Sequence, residues 1–198
     1  MKNIIVIIIA LLIFKVIFLS DNTITHGPGV FAPDTPIQRD NISKKQFSFK
    51  EYQITPLAEF HIKAKALSVE YYSSGREADL SPIDLALGWG RMSDESVLAE
   101  IDISQSGRWY RWYTETMPIP RKEIETHSAN MHLIPANDSI EDMMNDVRKG
   151  DIVEFSGNLI KADGSDGWLW QSSLTRNDVG AHACEVIWVD KFRIHNYE

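Results

Sequence analysis

Apolar residues run almost without interruption from Ile4 to Leu19, and only Lys15 breaks the run. Sixteen residues of α-helix span about 24 Å, somewhat less than the hydrocarbon core of a bilayer at about 30 Å. Because Lys15 lies near the end of the run, its ammonium group can reach the interface. The pattern predicts a transmembrane anchor over residues 1–20, and a cleaved signal peptide is the alternative.

Positive charges around this run predict its orientation. Lys2 precedes the run, and the next basic residue after Lys15 is Arg39. The positive-inside rule then places the N-terminus in the cytoplasm and the rest of the chain outside. In a bacterium with two membranes, we expect a single-pass protein of the inner membrane whose domain is periplasmic.

The chain beyond the apolar run divides into two parts. Residues 21–45 are rich in glycine and proline and predict a linker that lets the domain stand off the bilayer, whereas residues 46–198 predict one globular domain. Apolar and polar positions alternate from Glu59 to Ala66, which is typical of a half-buried strand. The apolar phase then shifts by one residue at Leu67, which predicts a bulge.

Further apolar segments predict strands at 47–54, 101–104, 108–113, 131–134, 152–162, 168–171 and 183–194. Ser81 followed by proline predicts the start of a short helix, and apolar spacings of three and four predict an amphipathic helix at 138–147. Gly157, in the middle of a strand, predicts a strong bend. These elements predict an α+β fold, predominantly antiparallel β. We expect a small closed barrel (OB- or SH3-like) with short helices, preceded by one transmembrane helix.

The charge balance limits the partners that the chain can bind. The sequence has 20 Lys and Arg against 28 Asp and Glu, a formal net charge of −8. Such a chain repels a phosphate backbone overall, so nucleic acid is disfavoured as a partner. Cys184 is the only cysteine of the sequence, which rules out an intramolecular disulfide. No glycine-rich phosphate loop is found, and no cofactor is predicted.

Four segments carry a resemblance to known sequences. They read SPIDLALGWGRMSD at 81–94, ISQSGRWYRWY at 103–113, HSANMHLIPA at 127–136 and SSLTRNDVGAHACEVIWV at 172–189. The chain resembles small bacterial proteins of about this length that carry an N-terminal hydrophobic segment and have no assigned function. The resemblance implies a bacterial source and a single domain, and it carries over no catalytic residue.

The strand predicted at 108–113 is the strongest candidate for a binding surface. Because alternate residues of a strand face opposite sides, Trp109, Arg111 and Tyr113 share one face. Aromatic rings beside a guanidinium can stack on a sugar or on a peptide side chain, so we expect a protein partner or an envelope glycan there. The alternative is a structural strand whose arginines lie at the edge of the fold.

The turn from Gly88 to Arg91 is a second candidate for ligand contact. A rigid turn at this position would display the side chains of Trp89 and Arg91 to a ligand. The alternative is the end of a helix, where the tryptophan packs into the core.

Histidine and cysteine offer the remaining candidates. His127 and Cys184 are the residues for a thiolate–imidazolium pair. His127, His132, His182 and Cys184 are the residues for a zinc site. Neither set has a signature spacing, so no metal site is predicted and catalysis is disfavoured.

These features favour a membrane-anchored, extracytoplasmic interaction module that binds a protein partner or an envelope polymer, rather than an enzyme. The first alternative is an envelope hydrolase acting on glycan or peptide through His127, Cys184 or a carboxylate. The second alternative is an OB-type nucleic-acid binder, which requires a basic groove in spite of the acidic composition.

Overall fold

The computed structural model describes residues 23–40, 42–175 and 184–196. Its strands are β1 (Ile37–Arg39), β2 (Phe47–Phe49), β3 (Tyr52–Tyr71), β4 (Ile83–Gly88), β5 (Asp102–Ser106), β6 (Trp109–Tyr113), β7 (Ser128–Pro135), β8 (Ile152–Gly164), β9 (Leu169–Gln171) and β10 (Glu185–His195). Its helices are α1 (Arg76–Leu80), α2 (Glu95–Leu98), α3 (Arg121–Thr126) and α4 (Asp138–Asn145), with a 3-10 turn at Gly90–Ser93.

The transmembrane anchor predicted over residues 1–20 lies outside the described residues. Within 23–40, 42–175 and 184–196, no helix is long and apolar enough to cross a membrane. The predicted cytoplasmic N-terminus and periplasmic domain therefore stay predictions.

Five strands pair in a ring. β3 pairs with both β4 and β8, β4 pairs with β7, β7 with β10, and β10 with β8. Among the described ladders only β7–β10 is parallel. β1 and β2 pair with β3, β9 pairs with β8, and β5 and β6 form a separate hairpin. The prediction of a mostly β, α+β fold with short helices is confirmed, and the strands form a sheet ring rather than a regular barrel.

The ring encloses the main hydrophobic core. Its inward side chains include Ile62, Leu133 and Phe155, none of which is more than 1% exposed. Ile140 and Met144 of α4 pack into the same cluster, so this helix covers part of the ring. Each large apolar side chain buried in this way stabilises the fold by about 1.5–3 kcal/mol.

The alternation along β3 ends at a bulge, as its sequence predicts. The β3–β4 register shifts between Ala66 and Ser68, so Leu67 is the extra residue. As a result Leu67 packs with Met92 and Ile124 in a second cluster, while Ala66 stays with the main core.

Gly157 is required by the close approach of two strands. A Cβ atom at this position would lie 1.8 Å from the carbonyl oxygen of Trp188 on β10. The β8–β10 register also shifts nearby, between Val189 and Lys191. The mid-strand glycine therefore marks a close approach of two paired strands, which any side chain would force apart.

The helix predicted from Ser81 is wrong, because residues Ile83–Gly88 form the strand β4. Every residue of β4 is buried. Leu85 and Leu87 face the main core, whereas Ala86 packs with the second cluster around Met92. A strand that is covered on both faces has a continuous apolar sequence, and periodicity cannot then distinguish it from a buried helix.

The segment predicted to be a linker packs against the body. Ile24 N donates to Lys149 O at 2.7 Å, and Gly27 N donates to the Glu95 carboxylate at 2.9 Å. Ala32 is completely buried, and β1 pairs with β3. The described residues from Ile24 to β1 therefore pack against the folded domain, although the composition of residues 21–45 predicts a linker.

Candidate functional site

The β5–β6 hairpin turns through two residues with left-handed backbone conformations. Gly107 has φ 57° and Arg108 has φ 70°, and positive φ at both positions is the type I′ pattern that matches the twist of paired strands. For a residue with a side chain this conformation costs about 1–2 kcal/mol. Arg108 is held in it by contacts that the hairpin tip makes with the body.

Alternate residues of β6 face solvent and protein. Trp109 is 44% exposed and Tyr113 is 62% exposed, and Arg111 between them is exposed as well. We call these three side chains the hairpin face. The structure thus brings together the three residues that alternation predicts to share one side.

The opposite side of β6 packs against β7 and α3. The Tyr110 hydroxyl donates to Ser128 Oγ at 3.0 Å, and burial raises the pKa of Tyr110 to about 12. The Trp112 ring lies 5.6 Å from the Arg121 guanidinium. These contacts fix the strand, so the hairpin face is presented on a rigid support.

A groove of 530 Å³ opens beside the C-terminal half of β6, next to Arg111 and Tyr113 of the hairpin face. Arg111 and Tyr113 line one side, and Met117, which is 48% exposed, lies in the following loop. Arg121 and Glu125 of α3 line the other side and bond to each other at 2.8 Å. The groove therefore combines aromatic surface with guanidinium groups and one carboxylate.

Trp89 is buried, whereas Arg91 is exposed and pairs with a carboxylate. Trp89 is 1% exposed and packs in the main core. Arg91 Nε donates to Glu123 Oε1 at 2.7 Å, and this hydrogen bond from Arg91 holds the pKa of Glu123 below its usual value. This corrects the expectation that the turn displays Trp89, because the Trp89 ring is packed among the side chains of the main core.

His127, His132 and Cys184 have separate surroundings. The His127 ring lies 6.3 Å from that of Trp89, whereas His132 belongs to the cluster around Asp84 described below. Cys184 is half-buried and directly precedes β10, and His182 lies outside the described residues. In the part of the chain that the structure describes, no three or more of the His, Cys, Asp and Glu side chains group as metal ligands.

A buried polar cluster lies between the hairpin tip and the ring, and the sequence did not predict it. Asp84 on β4 has no exposed surface. Arg108 Nη1 donates to Asp84 Oδ1 at 2.6 Å. His132 Nδ1 lies 2.9 Å from Asp84 Oδ2. This distance is short enough for an ion pair, but the angles at the two atoms are not those of a hydrogen bond. We call these residues, together with Asn130, the Asp84 cluster.

Aromatic rings and amides enclose the Asp84 cluster. The Arg108 guanidinium lies 3.7 Å from the centre of the Tyr72 ring, and the Trp170 ring centre lies 5.1 Å from that of His132. Arg108 N donates to the Tyr72 hydroxyl at 2.9 Å, and burial raises the pKa of Tyr72. Asn130 Nδ2 donates to Arg108 O at 3.2 Å. Because the buried charges are paired and hydrogen-bonded, the cluster fastens the hairpin to the ring.

One signal in the sequence could have revealed this cluster. Asp84 is the only charged residue in the run from Ile83 to Gly88, and a carboxylate in a buried strand needs a cation nearby. Arg108 and His132 supply that environment from distant segments, so only the fold identifies them as partners.

Comparisons with known proteins give no family assignment. No protein-family model matches the chain, no curated protein matches it, and no solved structure matches it. The functional proposal therefore depends on the surfaces and contacts described above.

Proposed function

We propose that the protein is a membrane-anchored, extracytoplasmic interaction module whose hairpin face binds a protein partner or an envelope polymer such as a glycan. The observation that carries the proposal is the exposure of Trp109 and Tyr113 on either side of Arg111, on a strand whose other side is packed. Aromatic and arginine side chains presented on a rigid support are the residues that most often dominate binding surfaces.

The strand itself also suits binding. Among the described ladders β6 pairs with β5 alone, so its outer edge is available to an extended segment of a partner. The groove beside it contains Arg111 and Arg121, whose guanidinium groups donate to carboxylates, carbonyl groups or sugar hydroxyls. Both features favour an extended ligand lying along β6.

The order of the strands supports a finer proposal, that the sheet ring has the topology of an OB-type fold. Five strands pair in a ring, one ladder is parallel, and α4 connects β7 to β8. OB-type barrels bind ligands on their second and third strands, to which β4 and β7 correspond. The β5–β6 hairpin connects these two strands and bonds to β7 through Tyr110 and Gln105, so the hairpin face would extend the usual binding surface.

The anchor completes the proposal. The apolar run from Ile4 to Leu19 and the position of Lys2 support a single-pass protein of a bacterial inner membrane, with a cytoplasmic N-terminus and a periplasmic domain. An interaction module in this position would meet envelope proteins and envelope glycans, which explains why we propose these two classes of ligand.

The alternatives have weaker support. An envelope hydrolase needs a reactive group that the substrate can reach, and Asp84 and His132, the acid–base pair of the Asp84 cluster, are 0% and 3% exposed. Glu154 and His195 are more exposed, but Glu154 Oε2 also accepts a hydrogen bond from Arg193. A nucleic-acid binder needs a basic surface on β4, β7 and the hairpin, and the groove there includes Glu125 beside its two arginines.

The test is a capture experiment from native membranes solubilised in mild detergent, with the immobilised full-length chain as bait. The hairpin-face variant carries Trp109→Ser, Arg111→Ser and Tyr113→Ser. The matched control carries Ile37→Ser and Leu169→Ser, which replace side chains that are 53% and 56% exposed elsewhere. Because exposed substitutions change stability by roughly 0.5 kcal/mol or less, all three proteins should unfold alike.

The expected result is that the wild type and the control retain the same specific partner, and that the hairpin-face variant loses it. Sedimentation with purified envelope glycan, run in parallel, distinguishes a polymer from a protein ligand. Equal binding by all three forms in both assays would remove the hairpin face from the proposal.

A further inference from the structure

The position of Ile24 limits how far the domain can lie from a membrane. Ile24 N donates to Lys149 O at 2.7 Å, and a Cβ atom at Gly150 would lie 1.8 Å from Ile24 O, so this segment is in tight contact with the body. Four residues separate Leu19, the end of the apolar run, from Ile24, so five Cα–Cα steps join the two. Even fully extended, these steps reach about 17 Å.

One face of the sheet ring lies next to this attachment point. Across β3, β8 and β10, His61 pairs with Ser156 and Ser156 with Lys191. In the next row Lys63 pairs with Glu154, and Glu154 with Arg193. The alternate residues of these strands face the core, so both rows point outward.

The next outward position along β3 is covered by the N-terminal segment before β1. Lys65, two residues beyond Lys63, is only 3% exposed. Its ammonium group lies 5.7 Å from the centre of the Phe31 ring and 2.6 Å from Glu95 Oε1. His26 N donates to the same carboxylate oxygen at 2.6 Å. The chain therefore leaves the domain at the border of the outward-facing rows.

This face is cationic although the chain is acidic. Its Lys and Arg side chains are Arg39, Lys44, Lys63, Lys191 and Arg193, against the carboxylates Glu59, Glu154 and Asp190. Five cations and three anions leave a charge of +2, in a chain of net charge −8.

The carboxylates of this face are engaged by their neighbours. Glu154 Oε2 accepts from Arg193 Nη2 at 2.6 Å and lies 2.7 Å from His195 Nε2. Asp190 accepts from Trp188 Nε1 at 3.0 Å and from Asn158 Nδ2 at 3.3 Å. A groove of 370 Å³ opens among Arg39, Lys44 and Lys191, and Glu59 and Asp190 line it as well. Glu59 lies 3.9 Å from Arg39 Nη1 and 3.5 Å from Lys44 Nζ, so the groove has one more cation than carboxylates.

We infer that the domain lies directly on the membrane, with the outward face of β3, β8 and β10 against anionic phospholipid headgroups. The inference rests on the anchor in the proposed function, because only a membrane helix ending at Leu19 brings this face to the bilayer. Lysine and arginine side chains at an anionic surface are attracted within a Debye length, which is about 8 Å at physiological salt. A tether that extends no further than about 17 Å keeps the domain beside the bilayer and lets this face come within that distance.

The test uses the full-length chain in nanodiscs made either of phosphatidylcholine alone or of phosphatidylcholine with phosphatidylglycerol. An amine-reactive reagent labels lysines, and mass spectrometry measures the rate at each one. Lys63 and Lys191 report on the proposed face. Lys122 is the control, since it is exposed on α3, which packs against β7 and β6, and it does not belong to the face.

The expected result is a decrease of about fivefold in labelling at Lys63 and Lys191 in the anionic discs, the factor that corresponds to one cation–surface contact. Lys122 should label equally in both discs, and about 1 M salt, with its Debye length near 3 Å, should restore the fast rate. Lys191→Glu should weaken the protection of Lys63, whereas Lys122→Glu should leave it unchanged.

Two outcomes would overturn the inference and are distinguishable. If the chain is stripped from the discs by alkaline carbonate, the anchor itself is absent and the proposed location fails with it. If the chain stays inserted but Lys63 and Lys191 label equally in both discs, the anchor stands and the headgroup contact is wrong.

Discussion

Asp84 is a fully buried carboxylate whose partners come from other parts of the chain. Arg108 reaches it from the tip of a hairpin, in a left-handed conformation that disfavours any residue with a side chain. Removing one member of a buried ion pair leaves the other as an uncompensated charge, which typically destabilises a protein by about 3–5 kcal/mol. At the scale of the residue, we therefore expect the loss of this ion pair to lower the free energy of unfolding more than the loss of an exposed pair.

We expect Arg108→Met to lower the free energy of unfolding by about 3 kcal/mol, because Asp84 loses its strongest donor. Urea unfolding followed by tryptophan fluorescence measures the change. The double variant Arg108→Met with Asp84→Asn is the control, and it should recover part of the loss since no buried charge remains. Equal destabilisation by the single and the double variant would mean that packing, not charge, fastens the hairpin tip.

Gly157 and Gly107 are glycines for different reasons. Gly157 has no room for a side chain, whereas Gly107 has a positive φ. Gly157→Ala places a methyl group 1.8 Å from Trp188 O, and the strands must shift, at a cost of about 1–3 kcal/mol. Gly107→Ala meets no atom within 4 Å but requires φ 57°, which costs about 1 kcal/mol. Thermal unfolding should therefore give the lower midpoint for Gly157→Ala. The reverse order would contradict the close approach of β8 and β10 at this glycine.

At the scale of the element, the hairpin depends on Tyr110 as well as on its tip. Burial raises the pKa of Tyr110 to about 12, while in the unfolded chain a tyrosine titrates near 10. Between these values the unfolded state binds fewer protons than the folded state, so stability falls as the pH rises through this range. The loss should reach about 2 kcal/mol by pH 12.

The measurement is the urea midpoint from pH 9 to pH 12 for the wild type and for Tyr110→Phe. The variant loses the hydrogen bond to Ser128 and should be less stable at pH 9, but its midpoint should fall less steeply. Tyr71 and Tyr72, whose pKa values burial also raises, contribute equally to both proteins. Parallel curves would show that the Tyr110 hydroxyl is not the group that titrates.

The elements differ in how well the sequence predicted them, and burial explains the difference. β3 has one covered face, so the alternation of apolar and polar residues predicted it. β6 was predicted as an aromatic strand, and the geometry of a strand then placed the residues of the hairpin face on one side. β4 is covered on both sides, and its continuous apolar sequence was mistaken for a helix. The Asp84 cluster joins β4, β7 and the hairpin tip, and no periodicity within one segment encodes contacts between segments.

At the scale of the whole molecule, the segment before β1 is held mainly by backbone amides. The N–H groups of His26, Gly27, Gly29 and Ala32 donate to side chains of Ser93, Asp94 and Glu95. Bonds of this kind depend on the backbone of the segment rather than on its side chains, so a glycine- and proline-rich sequence gave no sign of them. The composition therefore predicted a linker where the chain forms part of the body.

Two truncations test whether this segment is structural. A chain that begins at Thr23 should be as stable as the full-length protein in the same detergent, because every contact described remains. A chain that begins at Gln46 loses the four amide bonds, the buried Ala32 and the β1–β3 ladder. At about 1 kcal/mol for each hydrogen bond, its free energy of unfolding should fall by about 4 kcal/mol or more.

Urea unfolding of the three proteins gives the comparison, and limited proteolysis gives an independent one. In the full-length protein, cleavage between residues 24 and 39 should be slow, and Glu95→Ala should accelerate it, because that carboxylate accepts from both His26 N and Gly27 N. Glu100→Ala is the matched control, since Glu100 is exposed in the same region. If the Gln46 truncation were as stable as the full chain, residues 23–45 would be a tether, and the short distance between domain and membrane would be lost as well.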